Sequence, residues 1–193
     1  VMVSWLPLYH DMGLVGFLSI PMTNGCQLVQ AAPQDFLAKP GNWMQWISDW
    51  GGTATAGPNF SWVLATRALG RMNDLDLSQL TLALSGAEPV DPKAVEAFVA
   101  AAEPFGFKPG SVFPAFGMAE LAIGGVFPPR HRGMVCDSVD RVVLERDLDR
   151  AQGRAVERGG LGDAPCAFDT PGRGRVVRAA EADQVGGHAA QAG

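Results

Sequence analysis

Residues 80–102 read LTLALSGAEPVDPKAVEAFVAAA, and the change of rhythm inside this stretch decides the fold. Leu80, Leu82 and Leu84 alternate with Thr81 and Ala83, which is the period of a strand. Ser85, Gly86 and Ala87 are small, and Pro89 is a turn former. Asp91 then stands where a helix N-cap belongs, with Pro92 at the first helical position. Val95, Phe98, Val99 and Ala102 follow at helical spacing and predict a buried face. A strand passing through a short loop into an amphipathic helix is the repeating unit of a layered α/β sheet.

The same alternation continues outward. Upstream, Phe60, Val63, Leu64 and Ala68 predict one helix face. Trp43, Trp46, Ile47 and Trp50 predict another, which Gly51-Gly52 ends. Val1 to Leu6 and Cys26 to Val29 are short β-rich runs. Gly13 to Met22 between them reads as a buried helix closed by Asn24-Gly25. Downstream, Val112 to Phe116 is a further strand. The fold class is therefore α/β, a layered sheet with flanking helices and several parallel pairs. In such a sheet a ligand sits at the loops that leave the C-terminal ends of the strands.

Composition narrows the function. Of 193 residues, 47% are hydrophobic and 18% charged, which excludes global disorder. A net charge of −5 removes the basic footprint of a nucleic-acid binder. The longest apolar run, Met12 to Met22, is about half of a membrane span and contains Pro21. No charged-then-apolar leader opens the sequence. Cys26, Cys136 and Cys166 are odd in number, far apart and without zinc spacing, which suits unpaired thiols in a reducing compartment. A soluble cytoplasmic protein without a transmembrane segment is expected.

Charge is unevenly spread, with 15 charged residues in 1–125 and 20 in 126–193. From Ala151 onward there are nine glycines and ten alanines but only six of Val, Ile, Leu, Met or Phe. Burial there cannot offset ordering entropy. Residues 1–125 read as core, 126–150 as a charged peripheral element, and 151–193 as a low-complexity, disordered tail. The tail's composition matches GC-rich DNA read out of frame from about Leu161 to Cys166, or a divergent linker.

Three strand-end segments carry chemistry. Leu6 to Gly13 (LPLYHDMG) brings His10, able to bond, stack or titrate, and Asp11 at a helix start. A half-buried histidine beside a capped helix is the plain alternative. Ser85 to Val90 (SGAEPV) lets a flat ligand approach the backbone, or is simply a tight turn. Pro114 to Glu120 (PAFGMAE) combines an aromatic face, a glycine and a carboxylate suited to Mg²⁺ beside phosphates. A core Phe with a solvated Glu would look the same.

In this order and spacing, WLPLYHDMG, SGAEPV and PAFGMAE resemble the adenylate-forming (AMP-binding) superfamily, above all its fatty acyl-AMP ligase and fatty acyl-CoA synthetase branch. The run LDLSQLTLALSGAEPV adds the run-up to the adenosine loop, and the resemblance covers about residues 1–150. It implies that ATP and a fatty or other carboxylic acid give an acyl-adenylate and pyrophosphate, with possible transfer to CoA or an acyl carrier protein. It implies that His10 gates or lines the acyl tunnel, with a catalytic role shared with Glu120. Gly86, Ala87, Glu88 and Pro89 would flank adenosine. Phe116 would stack on adenine where most relatives have Tyr, and Gly117 and Met118 would complete the nucleotide floor. Ala119 stands where many CoA ligases have Thr. Glu120 would hold Mg²⁺. Trp5, Leu14, Phe17 and Phe60 are acyl-pocket walls on this reading, or ordinary core. Residues 126–150, with Arg130-His131-Arg132, resemble an extra segment of long-chain members, or form a solvated charged face.

Proteins of this pattern also carry a Gly/Ser/Thr-rich phosphate loop, a ribose-binding Asp, a hinge and a C-terminal catalytic Lys. None is found in these residues, and Lys39, Lys93 and Lys108 lie in no matching context. Residues 1–150 thus read as a partial AMP-binding domain from the middle of the large N-terminal domain. The purified 193-residue chain is expected to give no acyl-adenylate. Fatty-acid-dependent pyrophosphate release above background would overturn that. An inactive remnant that binds nucleotide or acyl chain, and an α/β interaction module, are the other readings.

Overall fold

The computed structural model describes residues 1–121, 123–140 and 173–178. Five parallel strands form the central sheet: β1 (Met2–Ser4), β2 (Leu28–Gln30), β3 (Ala54–Gly57), β4 (Leu82–Ser85) and β5 (Val112–Pro114). Their spatial order is β2-β1-β3-β4-β5. A π-helical segment (Met12–Ser19) and α1 (Ile20–Asn24) connect β1 to β2. Helices α2 (Pro33–Ala38) and α3 (Gly41–Asp49) lead to β3, α4 (Asn59–Leu69) to β4, and α5 (Pro92–Ala102) to β5. Chain direction across the sheet reverses between β1 and β3, the place where doubly wound sheets open a crevice. The expected α/β sheet with flanking helices is what the protein has.

Helices α3, α4 and α5 pack their rings against the strands. Thr55 of β3 accepts the Trp43 indole N–H of α3 at 2.8 Å and donates to the Val3 carbonyl at 2.7 Å. Trp62 of α4 donates to the Gly57 carbonyl at 2.9 Å and meets Phe98 of α5 at 4.7 Å between ring centroids. Phe98 continues to Phe107 at 5.3 Å. An unbroken chain of rings thus fastens α3, α4 and α5 to the strands. Gly57 is required here, since a Cβ would collide with the Ser61 hydroxyl and crowd Trp43.

Helix α5 begins as expected: the Asp91 carboxylate accepts the Lys93 backbone N–H at 2.9 Å, with Pro92 at the first turn. Just before β4, the Ser78 hydroxyl and backbone N–H hold the Asp76 carboxyl below its ordinary value.

Several details differ from expectation. In β4, Ala83 and Ser85 face the helices and are buried, while Leu82 and Leu84 are half-buried on the other face. In α4 the buried residues are Ser61, Trp62, Ala65 and Leu69 rather than the Phe60 set. Trp62 takes the core because its N–H reaches Gly57, which leaves Phe60 47% exposed. In α3, Trp43 and Ile47 are buried, whereas Trp50 ends the helix and is 54% exposed.

The segment expected as one buried helix from Gly13 to Met22 is π-helical first and α-helical after Ile20, and Leu14, Ile20 and Met22 are exposed. Buried Met12 and Phe17 are five residues apart, the span of a π-helical hydrogen bond, so they share a face that a 3.6-residue period does not give.

Most of 151–193, expected to be disordered, lies outside the described residues, as do 141–150. Within the tail, β7 (Arg173–Arg178) corrects the expectation by pairing antiparallel with β6 (Val135–Asp140). Val176 and Val177 supply the β-branched pair that favours a strand. Cys26 is an exposed free thiol, and Cys166 lies outside the described residues.

Candidate active site

Because all five strands of the sheet are parallel, the loops after β1, β3, β4 and β5 gather at one edge. Leaving β1, the chain makes a tight turn in which His10 donates its backbone N–H to the Pro7 carbonyl at 3.2 Å. Gly13 packs against that carbonyl so closely that a Cβ would collide with it. His10 is exposed, and its Nδ1 accepts the Met12 backbone N–H at 3.1 Å. The imidazole therefore caps the following helix, a task expected of Asp11, whose carboxylate makes no capping bond. With Nδ1 occupied as acceptor, the neutral ring carries its proton on Nε2, which leaves that N–H free to donate outward.

Behind this turn sits an aromatic cluster. Trp5 stacks on Phe36 at 3.9 Å and meets Trp43 and Phe60 edge-on at 5.9 and 6.1 Å. The Trp5 indole N–H is buried without a hydrogen-bond acceptor. Of the four expected pocket walls, Trp5 and Phe17 are buried, while Leu14 and Phe60 present about half their surface. Trp5, Phe36 and Trp43 are buried in the core, and Phe60 is the exposed member of the cluster.

The β4 and β5 loops are brought together. Ala115 donates to the Ser85 carbonyl at 2.9 Å, and a Cβ on Gly86 would lie 2.9 Å from the Ala115 carbonyl oxygen. Only a glycine lets the two loops approach this closely. Ala87, Glu88 and Pro89 are exposed. Ala87 adopts φ of 69°, a left-handed conformation unusual for alanine.

Phe116 is half-buried and pairs with Val126, bonding in both directions at 3.0–3.1 Å. The chain between them doubles back, with Ile123 donating to the Met118 carbonyl at 3.1 Å and adopting φ of 79°. A Cβ at Gly117 would collide with the Ile123 carbonyl, so this position demands glycine. Met118, Ala119 and Glu120 are exposed, and Ala119–Leu121 form a single 3₁₀ turn. Both loops thus hold a non-glycine residue at positive φ, the kind of strain that collects at ligand sites.

The expected nucleotide residues therefore share one surface at adjacent strand ends. His10 stands apart across β3, and its hydrogen bonds stay within residues 7–14. The composition and spacing gave no signal for Asn59. It follows β3 after Pro58, donates through Nδ2 to the Pro89 carbonyl and accepts the Asp91 backbone N–H at 2.9 Å. A Pro-Asn pair at a strand's C-terminal end is the feature that could have found it.

Among the described residues no group of three or more metal-ligating side chains exists. Glu120 alone, exposed at the loop tip, fits the mode in which Mg²⁺ keeps its waters and is held by one carboxylate together with substrate phosphates.

"Putative ligase Rv1013" from Mycobacterium tuberculosis is 48% identical over 147 residues, covering 75% of this chain and 27% of its own length. The medium-chain-fatty-acid–[acyl-carrier-protein] ligase JamA from Moorena producens is 40% identical over 126 residues, covering 64% of this chain and 21% of its own. A solved structure from work on fatty acyl-adenylate ligases of E. coli and L. pneumophila superposes with a TM-score of 0.75 at 33% identity, over 93% of this chain and 30% of that one. The chain thus spans about a quarter of the length of the curated relatives it matches. The family model described as "AMP-binding enzyme" matches residues 1–162, and the chain belongs to that family.

Proposed function

We propose that this chain contributes the acyl-side crevice and the adenosine-side loops of an enzyme that activates a fatty acid with ATP. The observation that carries the reading is the junction of the β4 and β5 loops at Gly86 and Ala115. A carboxylate of the acid attacks the α-phosphorus of ATP, the acyl-adenylate forms, and pyrophosphate leaves. Catalysis of this kind rests on positioning and on stabilising phosphate charge.

In this proposal Gly86, Ala87, Glu88 and Pro89 border the adenosine with their backbone. Phe116 stacks on adenine, and Gly117, Met118 and Ala119 form the floor beneath it. Glu120 holds Mg²⁺, which when bound neutralises charge on the ATP phosphates. His10, with Nε2–H directed away from its capped helix, acts at the mouth of the acyl crevice walled by Trp5 and Phe60. A second step passes the acyl group to CoA or to a carrier protein, the latter supported by the name of the JamA relative. No described helix is long and apolar enough to cross a membrane, and a soluble cytoplasmic setting suits these substrates.

Phe116→Ala is the direct test of the adenine assignment. Loss of one stacking face should weaken AMP binding by about 1–3 kcal/mol. Phe116→Tyr should bind as the parent does, because it keeps the ring. Calorimetric titration with AMP measures both, and unchanged affinity in Phe116→Ala would remove Phe116 from the site.

A further inference from the structure

Asn59 opens α4 at the C-terminal end of β3, yet both of its side-chain hydrogen bonds reach across to the segment after β4. Nδ2 donates to the Pro89 carbonyl and Oδ1 accepts the Asp91 N–H at 2.9 Å. The amide thus grips the backbone on both sides of buried Val90. Its orientation is fixed by chemistry, because the flipped amide would set oxygen against the carbonyl and NH₂ against the N–H. Asp91 in turn caps α5 through Lys93. The loop from Gly86 to Pro89 therefore hangs between β4 and a point clamped from β3. Inside it Ala87 is held at φ of 69°, which an alanine keeps only where its surroundings over-determine it.

We propose that Asn59 is a positioning residue for the nucleotide: its paired hydrogen bonds hold the Gly86–Pro89 backbone in the bent form that meets adenosine. The role rests on the reading of that loop as the adenosine-contacting one. Asn59 itself does not touch the nucleotide in this account. Its neighbour Phe60 belongs to the Trp5 cluster, so one turn of α4 supports both sides of the site.

The test uses the 193-residue chain, its Asn59→Ala variant and its Asn59→Asp variant, which keeps the acceptor but sets an anion against the Pro89 carbonyl. Backbone amide exchange is followed by NMR, and AMP affinity by titration of the same samples. Asn59→Ala should speed exchange at Asp91, whose N–H Asn59 accepts, while the amides of α3 and β3 keep their protection. AMP affinity should fall about tenfold, the scale of one or two net hydrogen bonds. Asn59→Asp should show at least as large a loss.

Unchanged exchange at Asp91 would overturn the clamp. So would an equal rise across α3 and β3, which marks general loosening. Faster loop exchange with AMP affinity equal to the parent's would overturn the positioning role while leaving the adenosine reading intact. If the parent chain itself binds no AMP although the loop loosens in the variants, the adenosine reading fails and the proposed role fails with it.

Discussion

Glu120→Ala is expected to lower acyl-adenylate formation by about a hundredfold to a thousandfold when this segment is placed in a full-length enzyme of the family, the scale of losing one charge-stabilising group at a transition state. The carboxylate is exposed on a 3₁₀ turn, so its removal takes away no packing. Stability should therefore change by no more than about 0.5 kcal/mol. Glu120→Gln separates charge from shape, and on a metal-holding role it should be nearly as damaging as alanine. Pyrophosphate release, followed across a magnesium titration, measures the effect. Raised magnesium should recover part of the loss. Near-normal turnover in Glu120→Ala would remove the residue from the metal assignment.

Trp43→Ala is expected to cost about 3–5 kcal/mol of folding stability, a large share of what a domain of this size possesses. Trp43 is fully buried and touches Trp5, Phe36 and Trp62, with centroid separations of 5.9, 5.6 and 4.7 Å. Its truncation opens a cavity where α2, α3, α4 and β1 meet. It also removes the indole donor from the Thr55 hydroxyl. Trp43→Phe isolates that second effect, and should cost less because most of the volume remains. Denaturant midpoints of the two variants give the comparison. A loss under about 1 kcal/mol in Trp43→Ala would mean that the aromatic chain is not the core's main support.

Where periodicity and chemistry agreed, the sequence was a good guide. Asp91-Pro92 marked the start of α5 because a capping carboxylate and a proline at the first turn have few other uses. The order of strand and helix signals gave a parallel sheet, since each crossover is long enough to need one. The loops around Gly86 and Gly117 were legible because the fold leaves no room for a side chain there. Other features depended on competition between residues. Phe60 and Trp62 are both suited to a core, and Trp62 turns inward, packed on Trp43 and Phe98 with its N–H on the Gly57 carbonyl. The π-helical span hid itself, because a five-residue hydrogen-bond period is absent from the patterns by which a helix is read. Asn59 was invisible for a different reason. Its partners, Pro89 and Asp91, are thirty and thirty-two positions away, and both are backbone groups that leave no trace in side-chain pattern.

The order β2-β1-β3-β4-β5 has a consequence for how the chain assembles. Strand β1 is laid down before either of its neighbours, yet it ends in the interior of the sheet, flanked by Leu28–Gln30 and Ala54–Gly57. Parallel strands cannot join by a hairpin, so each pairing must wait for a whole connecting helix to emerge. During synthesis the backbone of Met2–Ser4 thus keeps one hydrogen-bonding edge open until β3 has left the ribosome. Over that interval the apolar run that follows it, from Met12 to Met22, is without its final packing as well. Sequence-distant pairing of this kind folds slowly and leaves strand edges exposed to other chains. The parallel arrangement that gathers the loops at one edge therefore also leaves the newborn β1 with an unpaired edge until β3 arrives.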